Sequence, residues 1–94
     1  MSNESKIEFY FNEYDEKDWR CFAQCFNEVE IPNDIIGKIP NDVLYVLVGL
    51  LGIESMKKWI TTELKQLDCN TALALAKTDK GLKALKALIM RIPN

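Results

Sequence analysis

Histidine is absent from the 94 residues. The chain therefore lacks the side chain used most often for acid–base work near neutral pH and for holding zinc. The longest apolar run, residues 43–51, is about half of what a membrane-spanning helix requires. The first residues are polar, with no basic stretch leading into an apolar one, so no secretory leader is expected. The three cysteines, an odd number, suit a reduced compartment better than a disulfide scaffold. A cytoplasmic chain is the expectation. The four glycines and three prolines are too few to suggest disorder.

These absences bear on chemistry. No glycine-rich phosphate loop follows a strand, because Gly49 and Gly52 fall within or just after an apolar helical segment. Cys21 and Cys25 stand four apart on one face of a predicted helix and read as two small core residues. As a nucleophile either would lack an imidazole base. A zinc site would need two further ligands, and Cys69 stands alone. No enzyme, cofactor or metal site is expected.

A chain of this length makes one domain. Its charge is unevenly spread. Residues 1–42 carry ten carboxylates and four basic side chains, a net −6, whereas residues 43–94 carry four and eight, a net +4. Either the two signs face outward as separate surfaces, or they attract each other within the fold.

Residues 6–12 alternate, with Ile7, Phe9 and Phe11 on one side and Glu8, Tyr10 and Asn12 on the other. A period of two predicts a short strand, or an extended arm laid on the helices. A lone strand would pair with a partner's edge or a second copy, which leaves a homodimer open. Residues 15–28 read as a helix with Trp19, Phe22, Ala23 and Phe26 in one stripe and Asp15 as N-cap. Ile31-Pro32-Asn33-Asp34-Ile35-Ile36 recurs as Ile39-Pro40-Asn41-Asp42-Val43-Leu44, and each copy is a helix-start signal. The second copy opens a helix over residues 42–51 that is apolar nearly all round and therefore central. Residues 54–66 predict an amphipathic helix, with Met56, Trp59, Ile60, Leu64 and Leu67 inward. Asn70-Thr71 and Thr78-Asp79 can cap two more helices, the second running to Ile92, with Pro93 barring extension.

The fold class expected is mainly α: a compact bundle of five or six short helices with a strand or arm at its N-terminus. Within the one domain, residues 1–14 form that arm, 15–52 an acidic helical part around the apolar helix, and 53–94 a second helical part.

This last part carries a recognisable order. Trp59-Ile60 is followed by Leu67-Asp68-Cys69-Asn70-Thr71-Ala72, then Leu75, Thr78-Asp79-Lys80-Gly81, Leu85, Leu88 and Arg91-Ile92. It resembles the toxin-binding domain of Xre/MbcA/ParS-type antitoxins over residues 42–92. That family reads as a Trp-Leu pair, an "L-x-G-x-T-P" turn, a short helix, "T-x-x-G" and a last helix ending in "R-I". This chain has Cys69 in place of the turn glycine and Ala72 in place of the proline. No helix-turn-helix is evident in residues 1–41. The resemblance implies a helical protein that neutralises a bacterial toxin by binding it.

The expected function is thus a protein-binding inhibitor, an antitoxin or immunity protein, that occludes a toxin's active site or substrate path. Glu13, Asp15, Glu16, Asp18, Glu28 and Glu30 are the candidate partner-binding residues, charge-complementary to a basic toxin such as a nuclease. Two alternatives stay open. One is a DNA-binding regulator using Lys77, Lys80, Lys83 and Lys86. The other is a phage-encoded inhibitor of a host defence nuclease.

Overall fold

The computed structural model describes residues 6–92. Their elements in chain order are α1 (Lys6–Glu13), α2 (Glu16–Ala23), α3 (Asn41–Leu51), α4 (Ile53–Ile60), a 3-10 turn (Lys65–Leu67), α5 (Ala72–Leu75) and α6 (Asp79–Ile89). The expected small helical bundle is what forms. Residues 1–5 of the expected arm, and Pro93, lie outside the described residues.

The apolar helix is central, as its lack of a polar face demands. Val43, Leu44, Val46 and Leu47 of α3 are fully buried, in one cluster with Met56 and Ile60 of α4 and Leu85 and Ile89 of α6. Gly52 breaks α3 from α4 with φ 87°, a backbone conformation closed to most side chains.

The local caps act as their spacing predicts. The Asp15 side chain accepts from the Asp18 amide, Thr71 from Ala74 and Thr78 from Gly81, each about one turn on. The Asn41-Asp42 pair behaves differently. Pro40 is the N-cap of α3, with no side-chain cap bond. Asp42 accepts from the amide of Val43 and turns its other oxygen to the Trp19 indole, 2.8 Å away.

Residues 6–13 are corrected from strand or arm to helix. Their sequence fits both periods: Ile7, Tyr10, Phe11 and Tyr14 also stand at i, i+3, i+4 and i+7. This helical stripe packs against the core cluster, and Phe9 of the alternating set stays exposed. A remote contact adds to this packing. Asp68 accepts from the amides of Lys6 and Ile7, at 3.4 and 3.3 Å, and so caps α1 from 62 and 61 residues away.

The helix expected over residues 54–66 ends at Ile60. The hydroxyls of Thr61 and Thr62 donate to the carbonyl of Lys58 at 3.1 and 2.7 Å, competing with the next helical turn. The chain then closes a tight loop, in which the amides of Leu64 and Cys69 donate to Asn70 and Leu64. Asp68 and Cys69 at its tip take φ of 58° and 62°, the left-handed region that favours glycine. The expected helix over residues 15–28 likewise stops early, at Ala23.

Gly81 answers a different need. A Cβ there would lie 2.4 Å from the carbonyl oxygen of Leu75, which belongs to backbone and cannot swing aside. Two substitutions therefore carry opposite signs. Gly81→Ala should destabilise by about 1–3 kcal/mol through overpacking, although alanine is the better helix former by about 1 kcal/mol. Cys69→Gly should stabilise by about 1 kcal/mol by relieving the left-handed conformation. Urea melts of both variants measure the two signs.

Candidate functional site

The charge asymmetry of the sequence is partly consumed inside the fold. Helix α1 lies along α6, and acidic side chains meet basic ones across that contact. Lys80 Nζ is 2.6 Å from Glu8 Oε1, and Arg91 pairs with Glu13. Lys80 also sits over the Phe11 ring at 5.4 Å, and Arg91 over Phe9 and Tyr10. In the last turn of α6, Lys86 is held over the rings of Trp19 and Tyr14, 3.9 Å from Asp42. Its side chain is only 14% exposed.

Three of the six candidate acidic residues are thus engaged. Glu13 pairs with Arg91, and Asp15 caps α2. Glu16 pairs with Arg20 at 2.9 Å and accepts the Tyr14 hydroxyl at 2.6 Å. Asp18, Glu28 and Glu30 are exposed, and no side-chain hydrogen bond or ion pair holds them. Asp18 lies on α2, whereas Glu28 and Glu30 lie on the irregular segment between α2 and α3. The structure does not bring the six together as one patch.

The lysines divide in the same way. Lys86 is drawn inward, Lys80 pairs with Glu8 at the surface, and Lys83 pairs with Asp79 of its own helix at 3.2 Å. Lys77 is exposed without such a partner.

Tyr14, Glu16, Arg20, Trp19, Asp42 and Lys86 form one network beside an open groove of about 340 Å³. Its charges are paired with each other. Burial, then the bond to Glu16 and the nearby carboxylates, pushes the Tyr14 phenol above its ordinary value of 10.0. The Tyr14 hydroxyl, then Arg20, holds the Glu16 carboxyl below its own. The arrangement ties α2, α3 and α6 together.

The cysteines do not sit as expected. Cys21 and Cys25 are exposed, not core. Trp19, Phe22 and Ala23 take the inner face of α2, and Cys21, about 200° round from Trp19, faces away. Cys69 is exposed too. Among the described residues no cluster of three or more cysteine or acidic side chains could hold a metal ion. Nor is any helix among them long and apolar enough to cross a membrane.

Among the described residues Phe9, Ile36 and Ile53 are the large apolar side chains that stay exposed. Ile36 is 50% exposed and Ile53 39%, high values for large aliphatic side chains. Ile53 forms a shallow groove of about 320 Å³ with Glu30, Ile31, Pro32 and Asn33. Ile36 follows one turn on, its amide bonded to the Pro32 carbonyl. Sequence reasoning passed over both isoleucines. A signal was there: on the single turn after Pro32 the adjacent Ile35 and Ile36 cannot both point inward, and Ile35 is the buried one.

No protein-family model, curated protein or solved structure matches the chain.

The Tyr14 network carries a pH signature. The folded phenol holds its proton more tightly than the unfolded one. Its contribution is complete below the ordinary value of 10.0 and is lost as pH rises beyond it. Melts from neutral into alkaline pH should show stability falling above that value, and the fall should be shallower in Tyr14→Phe. An equal slope in both proteins would remove Tyr14 as the cause.

Proposed function

We propose that the chain is a protein-binding inhibitor that neutralises a cognate bacterial toxin, as an antitoxin or immunity protein. The observation that carries this reading is the exposed Ile53 beside Glu30 in the shallow groove, with Ile36 exposed on the same segment as Glu30. Exposed large aliphatic side chains, one of them at a shallow groove, lower the solubility of a lone protein and suit a partner's surface. Glu28 and Glu30, unengaged on the same segment, suit a basic partner such as a nuclease and would speed its approach. The inhibitor would act by covering the toxin's active site or substrate path.

The resemblance to Xre/MbcA/ParS-type antitoxins gains a physical basis from the turns. Cys69 stands where that family has glycine, and it adopts the left-handed backbone that glycine serves best. Gly81 of the "T-x-x-G" sequence lies where the Leu75 carbonyl leaves no room for a side chain. Both positions thus carry a backbone demand of the kind that glycine meets in the motif. The DNA-binding alternative draws less support, because Lys80, Lys83 and Lys86 are engaged within the chain.

Co-expression with the toxin encoded beside its gene tests the reading. The chain should restore growth and purify with the toxin in a fixed ratio. The double variant Ile36→Asp, Ile53→Asp changes exposed positions and should fold. It should lose rescue and bind more weakly by about 2–4 kcal/mol, as removal of a binding hot spot does. Failure of the unaltered chain to bind or rescue would refute toxin neutralisation. Full rescue by the variant would place the interface elsewhere.

A further inference from the structure

A second surface, of opposite sign, lies on another side of the segment between α2 and α3. Lys38 from that segment, Lys57 from α4 and Lys77 from the end of α5 border two adjoining depressions that share Lys38 and Leu73. The larger has a volume of about 420 Å³ and the more enclosed about 150 Å³. Their floor is aliphatic: Leu73 is half-buried, while Ile35 and Ile60 are part of the core. None of the three lysines makes an ion pair. Among the described residues the one carboxylate on the border is Asp34.

This sets the three lysines apart from those of α6. Lys80, Lys83 and Lys86 each have a carboxylate supplied by the chain. Lys38, Lys57 and Lys77 are left with a positive field over an apolar floor, and the complementary ligand must bring both anions and apolar surface. The border holds no arginine to grip phosphate in two-point fashion and no aromatic ring on which a base could stack. That composition disfavours a nucleic acid.

We infer that this groove docks an acidic, amphipathic segment of another protein. An aliphatic side chain of the segment packs on Leu73 and Ile60, and its carboxylates meet Lys38, Lys57 and Lys77. The groove shares no lining residue with the one at Ile53 and Glu30. The inference therefore goes beyond toxin neutralisation and can fail independently of it: the chain would carry two binding faces, one for a basic partner and one for an acidic partner.

The probe is a short fluorescein-labelled peptide of Glu-Glu-Leu repeats, titrated against the whole chain by anisotropy and by amide chemical shifts. Binding should move the amides of Leu73, Ile60 and Lys38 and weaken with added salt. The variant Lys38→Glu, Lys77→Glu alters exposed side chains, and its melting curve checks that it folds. It should weaken binding by about tenfold or more, as reversal of charges next to a bound anion does. A peptide with serine for leucine should also bind less tightly. Several results would overturn the inference: no shifts at Leu73 and Ile60, equal binding by the charge-reversed variant, or equal binding of the serine peptide. Displacement of the peptide by a DNA duplex would assign the groove to nucleic acid instead. Loss of peptide binding in a self-associated form of the chain would assign it to a second copy.

Discussion

A helix without a polar side has to be covered from every direction, and α3 sets that condition for the whole molecule. Val43, Leu44, Val46 and Leu47 are fully buried, and side chains from α2, α4, α6 and the segment before α3 share their cluster. Each such side chain contributes about 1.5–3 kcal/mol by leaving water. Exposed ion pairs contribute about 0–1 kcal/mol each. The core therefore carries the stability, and the polar contacts decide how the outer helices are placed on it. Asp42 illustrates the division. It sits on the first turn of α3, accepts a hydrogen bond from the Trp19 indole N–H and has Lys86 nearby, so one carboxylate orients α2 and α6 at the end of the buried helix.

The same placement governs what the molecule presents to others. Acidic α1 lies on basic α6, and the Glu8–Lys80 and Glu13–Arg91 contacts consume charge that the sequence seemed to offer to a partner. Recognition then falls to positions that the fold leaves unengaged. On the segment between α2 and α3, Glu28 and Glu30 accompany the exposed Ile36, and α4 adds Ile53. Both proposed binding faces draw on this one irregular segment, which takes its inward anchors from Ile31, Ile35 and Ile39. A loop fixed by alternate buried isoleucines can hold its other side chains outward in a defined arrangement, which lowers the ordering cost of binding.

Much of the fold was legible because its signals are local. The caps at Asp15, Thr71 and Thr78 depend on residues about one turn away, and the apolar run of α3 can only be core. Helix α1 was not legible, because Ile7 to Tyr14 satisfy both periods and the contacts that favour the helix, the core cluster, α6 and Asp68, are remote in sequence. The candidate site divides on the same principle. Charge excess was visible in the sequence, but its pairing was not: nothing local joins Glu13 to Arg91 or Glu8 to Lys80. Glu28 and Glu30 remain unengaged because no basic residue of the fold reaches them, whereas Ile36 and Ile53 are outward because the inward positions beside them are filled.

Helix α1 has no fully buried residue and lies as an outer element on the core, held by its half-buried stripe, by ion pairs with Lys80 and Arg91 and by the Asp68 cap. Native-state hydrogen exchange, followed amide by amide at low and high salt, tests this most directly. The amides of α1 should open more readily than those of α3 and α6, and salt should hasten their exchange while leaving α3 unchanged. If α1 exchanges only with global unfolding, at a rate indifferent to salt, the helix is an integral part of the core and the account is wrong.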